Sequence, residues 1–288
     1  DARSIAATAA NGSKLTAATD LDIEYTNPEY HYNANLYAKR VYNGWGHAEP
    51  EAELRFGPNI KDWPEMPALT DDLLVKVCSY ITDPVTTTDE LIPSGETSSY
   101  RSNPERLSEF ALSRRDPQYV SRSKVMRQIE RDREAGKALP EEVRNVYAAL
   151  TKAGIANDPA NTDIGSTIFA NMPGDGSARE QAASCQRVMG AAANFAKQYA
   201  TKRYRSNCIN WGMTPFLVEN PEVFALGDYI FLPGLRQAVL ENKASFSAYV
   251  VKADGTVTEF PVSTGALTEP ERQIIADGCL INYYRNNQ

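Results

Sequence analysis

The stretch that decides the fold is residues 167–180, which read Thr-Ile-Phe-Ala-Asn-Met-Pro-Gly-Asp-Gly-Ser-Ala-Arg-Glu. Its first four residues predict a buried strand, and a helix is expected to begin at or near Ser177. Between them, Gly174 and Gly176 allow a tight turn and a close approach of the backbone to a ligand. Free N–H groups at the helix start would favour a small anion, either a carboxylate or a phosphate.

Two interpretations of this loop are open. In the first, Ser177 offers a hydroxyl and Arg179 a guanidinium that can grip a carboxylate through two parallel hydrogen bonds. In the second, the loop is a plain strand–turn–helix junction in which Ser177 only caps the helix, since short glycine-rich loops are common. The loop by itself is compatible with both.

The composition is that of an ordinary globular chain: 288 residues, 42% hydrophobic and 23% charged, enough for one large domain or two smaller ones. A formal net charge of −7 makes nucleic acid and anionic membrane surfaces poor partners. No apolar run approaches the roughly 20 residues of a membrane span, and no signal peptide is visible. We therefore expect a cytoplasmic protein. The start at Asp1 without a Met leads us to expect a fragment or a processed chain.

Cysteine and histidine usage argues against several kinds of site. The cysteines are far apart and form no C-x-x-C pair, so a self-contained zinc or iron–sulfur site is not expected. They are Cys78, Cys185, Cys208 and Cys279. The only histidines, His31 and His47, fall in a stretch expected to be a linker. A Ser-His-Asp or Cys-His site within this chain is therefore not expected either.

From Leu69 onward, predicted strands and helices alternate, which indicates an α/β fold with a mixed sheet. Besides 167–170, strands are predicted at 73–78, 191–196, 214–218, 229–232 and 245–251. Helices are predicted at 105–112, 123–135, 141–153, 180–189 and 197–211. Asp254-Gly255 is a hairpin signal, and Thr268 with Glu271 is a capping-box pattern for a final helix. Residues 1–20 are expected to form a short helix and a strand.

For two of the predicted helices, the sequence also indicates which side chains are buried and which face solvent. The helix at 123–135 is expected to bury Val125, Met126 and Ile129. The helix at 197–211 carries the main basic cluster, which we interpret as a solvated helix face rather than a nucleic-acid surface. That cluster comprises Lys197, Lys202, Arg203 and Arg205.

Several motifs occur in an order that points to one family. Residues 174–181, Gly-Asp-Gly-Ser-Ala-Arg-Glu-Gln, resemble a G-x-G-S-S-R-E-H loop, and 87–90, Thr-Thr-Asp-Glu, resemble a T-T-D-H segment. Both patterns belong to the aconitase family, in which a substrate-binding arginine stands at the spacing of Arg101 from Asp89. Asn207-x-x-Asn210-x-Gly212 with Pro215 is similar to a helix end in the small subunit of isopropylmalate isomerase. The terminal pattern also fits, with Gly227-Asp228, a hairpin, and a helix containing Ile274, Gly278 and Cys279.

The resemblance covers residues 69–288 and implies a C-terminal swivel domain, a three-layer swivelling β/β/α domain with a mixed sheet. It implies that 1–20 are the tail of a preceding cluster-bearing domain and that 21–68 are an interdomain linker. The implied activity is that of a hydro-lyase of the aconitate hydratase type, acting on a hydroxy di- or tricarboxylate. The family's 4Fe–4S cluster is bound by cysteines of earlier domains of the same protein. None of the four cysteines here matches them, so this chain is expected to supply no metal ligand.

The resemblance also implies roles for individual residues. Ser177 matches the serine that takes a proton from the carbon next to a carboxylate. Arg179 and Arg101 match the arginines that hold substrate carboxylates, and Asp89 matches an acidic residue that orients the site by pairing with an arginine. Without the resemblance, Asp89 is equally a turn-capping residue and Arg101 an exposed loop arginine.

The loop departs from the family pattern where it would meet the substrate. Gly176 and Ala178 are the loop positions expected to contact substrate, and Ala178 lacks the hydroxyl of the family's second serine. Gln181 and Glu90 replace histidines, and Glu90 adds negative charge that should weaken binding of a tricarboxylate. These changes favour a divergent hydratase with another hydroxy acid as substrate. The alternative is a catalytically silent homologue that acts as a carboxylate- or RNA-binding module.

Overall fold

The computed structural model describes residues 2–22, 24, 26–40 and 44–287. By their internal contacts they form two compact units, Asp1–Leu54 and Arg55–Gln288. The first unit contains helix α1 (Ala2–Ala10), a 3₁₀ turn at Ala18–Asp20 and helix α2 (Ala34–Ala38). The strand expected within residues 1–20 is wrong for the described residues, since Thr16 instead folds back to hydrogen-bond Thr8 of α1.

The second unit contains all the strands of the described chain. Its helices are α3 (Thr88–Leu91), α4 (Pro104–Ser108), α5 (Tyr119–Glu134), α6 (Glu141–Lys152), α7 (Arg179–Val188), α8 (Lys202–Asn210), α9 (Leu235–Leu240), α10 (Glu269–Asp277) and α11 (Leu280–Asn286). Its strands are β1 (Asp72–Ile81), β2 (Thr86–Thr87), β3 (Thr162–Ala170), β4 (Pro173–Asp175), β5 (Ala191–Ala196), β6 (Thr214–Leu217), β7 (Tyr229–Leu232), β8 (Phe246–Val251) and β9 (Val257–Val262).

Seven strands form one mixed sheet in the order β6-β5-β3-β1-β7-β8-β9. β6, β5, β3 and β1 run parallel, whereas β7, β8 and β9 continue the sheet by antiparallel pairs on the other side of β1. The helical connections between β1, β3, β5 and β6 are those that parallel strands require. The α/β fold with a mixed sheet is thus confirmed.

The two faces of the sheet bury separate hydrophobic clusters. On β1, Leu73, Val75 and Val77 contribute to one cluster, which also holds Leu235 of α9 and Ile275 of α10. The other face buries a cluster formed with the helices of the other layer. Its members from β1, α5, α6 and α7 include Leu74, Cys78, Met126, Val143 and Ala182. Helices therefore cover both faces, and the central strand is apolar on both sides, as buried parallel strands usually are.

The buried stripe of α5 differs from its prediction at one residue. The helix begins at Tyr119, and it buries Tyr119, Ser123, Met126 and Ile129. Val125 is 55% exposed, so its expected burial is wrong. Adjacent helical positions point about 100° apart, and the residue next to Met126 therefore faces away from the sheet.

The basic helix is shorter than expected. Thr201 accepts a hydrogen bond from the backbone N–H of Tyr204 at 3.2 Å and caps α8 at its start. Lys197 precedes this cap and so lies outside the helix, and Arg205 donates to the carbonyls of Thr264 and Ala266. The four cations therefore do not share one solvated helix face.

The end of the chain adds a helix that the sequence did not predict. The capping box of Thr268 and Glu271 is present at the start of α10, but α10 is followed by α11, so it is not the final helix. No helix of the described residues is long and apolar enough to span a membrane.

Candidate functional site

The two motif-bearing segments meet at the carboxyl ends of two neighbouring parallel strands. β1 and β3 are paired in parallel, so the segments that follow them leave the sheet at the same edge. There β2 and β4 form a separate two-stranded parallel sheet, with Thr86 opposite Pro173 and Thr87 opposite Asp175. Carboxyl ends of strands in open α/β sheets are the usual place for ligands.

Both glycines of the loop are required by close packing within the protein. Gly176 has a φ of +134°, and a Cβ there would lie 2.1 Å from Oγ1 of Thr88. Gly174 has a φ of +97°, and its Cβ would lie 2.4 Å from the ring of Tyr204. The close backbone approach inferred from the sequence is thus made to Thr88 and Tyr204.

Ser177 does not cap the helix. α7 begins at Arg179, and its N-cap is Ala178, which makes no side-chain capping hydrogen bond. The side chain of Ser177 is exposed, and its hydroxyl has no hydrogen-bond partner in the described part of the chain. The capping interpretation of Ser177 is therefore wrong, and the hydroxyl lies free beside the start of a ten-residue helix.

Arg179 has no carboxylate partner among the described residues, although much of its side chain is buried. Its Nε is buried and makes no hydrogen bond. The neighbouring Glu180 does not pair with it, because Oε1 of Glu180 accepts a hydrogen bond from Nε1 of Trp211 at 3.0 Å. A buried guanidinium nitrogen without an acceptor costs free energy, so an external anion at this position would be stabilising.

Asp89 is held by an arginine that the sequence did not single out. Arg114 donates one hydrogen bond to Asp89 and another to Glu96. The hydrogen bond to Glu96, with the charge of Asp89 in addition, raises the pKa of Arg114 above its usual value. No periodic or local signal in the sequence points to this pair, because 25 residues separate its members.

The helix cap beside Asp89 is made by its neighbours. Thr87 caps α3, and Oε2 of Glu90 accepts from the N–H and the hydroxyl of Thr87 at 2.7 and 2.8 Å. Asp89 is therefore not the capping residue. The Thr-x-x-Glu pattern at 87–90 is a recognisable capping-box signal, and it could have assigned this role to Glu90 from the sequence.

Arg101 is not joined to the loop by a hydrogen bond or an ion pair in the described residues. It is exposed and follows a 3₁₀ turn, Ser98–Tyr100. Its Nη2 donates to the carbonyl of Ser94 at 3.4 Å. The segment continues into α4, which packs on α7. The chain thus brings Asp89, Gly176, Ser177, Ala178 and Arg179 to one edge of the sheet, with Arg101 on the adjoining segment.

The cysteines of this chain do not fit an iron–sulfur cluster. All four are free and buried, and burial raises the pKa of Cys78, Cys185 and Cys208 to about 12. Cluster ligation needs thiolates that lie together. Among the described residues, no three His, Cys, Asp or Glu side chains form a group able to hold a metal ion.

The chain is similar in fold to a solved structure, although it matches no family model. No protein-family model matches the chain, and no curated protein matches it. A solved structure of 3-isopropylmalate dehydratase (leuD) from Methanocaldococcus jannaschii is similar, with 19% sequence identity and a TM-score of 0.44. The match covers 74% of this chain and 95% of that one. This similarity does not indicate which residues of the chain take part in a reaction.

Proposed function

We propose that this chain is the swivel part of an aconitase-like hydro-lyase that dehydrates and rehydrates a hydroxy di- or tricarboxylate. The observation that carries the proposal is the pairing of β2 with β4. It places the Thr-Thr-Asp segment and the glycine loop side by side. These are the two motifs whose sequences resemble the aconitase family, and they lie far apart in the chain.

In this proposal Ser177 is the base. Its oxygen takes the proton from the carbon next to a substrate carboxylate, and it must be stabilised when it is ionised. The N–H groups at the start of α7 and the guanidinium of Arg179 supply a positive field at that position. The same guanidinium is free to hold the carboxylate through two hydrogen bonds.

Asp89 has an orienting role in this proposal, which it exerts through Arg114. Because Arg114 pairs with both Asp89 and Glu96, it ties α3 to the segment that contains Glu96. Arg101 is the proposed second carboxylate ligand, and binding would require its side chain to leave the carbonyl of Ser94.

The proposed substrate class follows from the loop. Gly176 and Ala178 offer backbone N–H groups but no hydroxyl, so the site is proposed to favour a less polar hydroxy acid than citrate. The 4Fe–4S cluster of such an enzyme would come from other domains, because the four cysteines of this chain are buried and far apart in sequence, and burial raises the pKa of Cys78, Cys185 and Cys208.

The test is Ser177→Ala in the complete protein. If Ser177 is the base, turnover falls by about 10²–10⁴-fold, while the melting temperature stays unchanged because the hydroxyl is free. Ser245→Ala, which removes the hydroxyl of an exposed serine just before β8, is the control and keeps full activity. A Ser177→Ala enzyme with wild-type turnover would rule out the proposed base.

A catalytically silent, carboxylate-binding homologue is the second candidate, and Ala178 favours it because the loop lacks a substrate-contacting hydroxyl. Calorimetric titration with citrate, isocitrate and isopropylmalate separates the two. A silent homologue binds one of these acids, loses that binding in Arg179→Gln but not in Arg203→Gln, and shows no turnover in the complete protein. Arg205, which is bound to two carbonyls, gives little support to an RNA-binding role.

A further inference from the structure

A second cleft lies at the opposite end of the parallel strands from the glycine loop. It has a volume of about 110 Å³ and is lined at the amino end of β3 by Ile164 and at the end of α7 by Arg187 and Val188. Pro64–Pro67 contribute another wall. The ten residues of α7 span about 15 Å, so the cleft is separate from the proposed active site and depends on none of its residues.

The guanidinium of Arg187 is incompletely satisfied. Its Nη1 donates to the carbonyl of Ala191 at 3.2 Å, and its Nε is buried without a partner. No carboxylate of the described chain lies within ion-pair distance of it. Burial lowers the pKa of Arg187, so keeping this side chain charged costs free energy that an anionic ligand would recover.

Most other charges of the cleft already have partners inside the protein. Arg127 contacts both carboxylate oxygens of Glu105 and the carbonyl of Val188. Glu130 accepts two hydrogen bonds from Arg133. These paired residues fix the walls of the cleft. The third arginine of the described lining, Arg131, is about half exposed and lies 4.0 Å from a carboxylate oxygen of Glu105.

Two carboxylates of the lining, Glu65 and Glu134, make no hydrogen bond and no ion pair in the described chain. Of the two, Glu134 lies on α5, four residues after Glu130. Partial burial of this carboxylate raises its pKa, and the charge of Glu130 acts in the same direction. Glu134 and Arg187 line the same cleft and form no ion pair with each other.

We propose that this cleft binds a small apolar α-amino acid as its zwitterion. The carboxylate pairs with Arg187 and the ammonium group with Glu134. The side chain packs on the apolar part of the lining, which comprises Pro64, Pro67, Leu69, Ile164, Val188 and Ile275.

The charges around the cleft select this class over related ones. Among the described residues, the lining combines three arginines with the carboxylates of Glu65, Glu130, Glu134 and Asp163, so a di- or tricarboxylate would be repelled. A simple monocarboxylate would leave Glu134 unpaired, and a simple amine would leave Arg187 unpaired. Only a ligand with both charges satisfies both side chains.

The test measures binding of defined ligands to the full chain by calorimetry and by the melting temperature, which rises when a ligand binds the folded state. The ligands are valine, leucine and methionine, with isovalerate and isopentylamine as the analogues that lack one charge. We expect at least one amino acid to bind, and isovalerate and isopentylamine to bind at least tenfold more weakly. Binding should fall at least tenfold in Arg187→Gln and in Glu134→Gln.

Matched controls are Arg144→Gln and Glu141→Gln, which remove exposed charges of α6 outside the cleft and should leave binding unchanged. Glu134 is exposed, so Glu134→Gln remains informative even if Arg187→Gln does not fold. The proposal is overturned if no amino acid binds at concentrations up to about 10 mM, or if isovalerate binds as tightly as the amino acids. Unchanged binding in Glu134→Gln would also overturn it.

Discussion

The hydrogen atom that Gly176 carries in place of a side chain is what allows Thr88 to lie against the loop. Thr88 in turn lies between Thr87, which caps α3, and Asp89, which pairs with Arg114. A few atoms therefore determine how the two segments fit. The hydroxyl of Ser177 and the Nε of Arg179 take part in none of these contacts and have no hydrogen-bond partner in the described chain.

Asp163 makes stability depend on pH. Burial raises its pKa to about 6 from its ordinary value of 3.8. The folded chain therefore binds more protons than the unfolded chain between these values, and this group adds stability as the pH falls from about 7 to about 4. Asp163→Asn imitates the neutral acid, so we expect it to raise stability at pH 7 by up to about 3 kcal/mol and to flatten this dependence.

Urea unfolding at several pH values measures the effect. Asp62→Asn is the control, because this aspartate is exposed and its replacement should keep the wild-type pH dependence. If Asp163→Asn lowers stability at pH 7, the hydrogen bond from the N–H of Thr70 and the ion pair with Arg133 together outweigh the cost of burying the charged carboxylate.

At the scale of the element, the four-residue helix α3 exists because of its cap. A helix this short cannot form on its own, and its first turn is held by the reciprocal contacts of Thr87 and Glu90. Since α3 carries Asp89, the cap also positions that carboxylate for Arg114. The sequence indicates that Glu90 adds negative charge near the substrate. In the structure Glu90 also stabilises α3.

We expect Glu90→Ala to lower the free energy of unfolding by about 0.5–2 kcal/mol, the usual range for a lost cap. Glu90→Gln should lose less, because its amide oxygen can still accept from Thr87. Hydrogen exchange at the N–H of Thr87 would report the same change locally. Glu271→Ala, in the corresponding capping box of α10, provides the comparison, and a Glu90→Ala chain as stable as wild type would show that the box is dispensable.

At the scale of the whole second unit, three backbone segments that are distant in sequence lie in direct contact, at Gly212, Gly278 and Pro67. A Cβ on Gly212 would lie 1.9 Å from the carbonyl oxygen of Gly278, and one on Gly278 would lie 2.1 Å from that of Pro67. The end of α8, the end of α10 and the segment before β1 are thereby fixed to one another. Asn282 of α11 adds a hydrogen bond to the carbonyl of Met66 at 2.6 Å.

We expect Gly278→Ala to destabilise the fold by at least about 2 kcal/mol, because it adds a backbone collision to an unfavourable φ. Gly227→Ala is a matched control: its φ is +93°, against +90° at Gly278, and nothing lies within 4 Å of the added Cβ. That variant should lose only about 1–2 kcal/mol from the left-handed backbone. If thermal unfolding shows that both variants lose the same stability, the backbone at Pro67 moves aside without an energetic penalty.

The sequence predicted the strands better than the features that need distant partners. The apolar run from Leu73 to Cys78 marks β1, and such runs can be recognised locally. The prediction of which residues α5 buries was partly wrong. The buried positions are spaced from Tyr119, which lies before the predicted start of the helix. The start of α8 was wrong because Thr201 caps the helix, which therefore begins at Lys202.

In the candidate site, too, the local motifs could be predicted from the sequence and the contacts between distant residues could not. The glycine loop and the Thr-Thr-Asp segment could be found in the sequence, and their proximity follows from the parallel pairing of β1 and β3. The pairing of Arg114 with Asp89 and the contact of Thr88 with Gly176 could not be found, because each joins residues distant in sequence. The roles of Ser177, Arg179 and Arg101 in a reaction remain predictions.

The central position of β1 has a consequence for how the chain is made. β1 is synthesised first among the strands of the sheet, but its neighbours β3 and β7 follow much later in the chain. About 150 residues separate the end of β1 from the end of β7, which at about 5–20 residues per second takes roughly 8–30 s. During that time an apolar strand has no partner on one side, so this domain is expected to need protection from aggregation while it emerges from the ribosome.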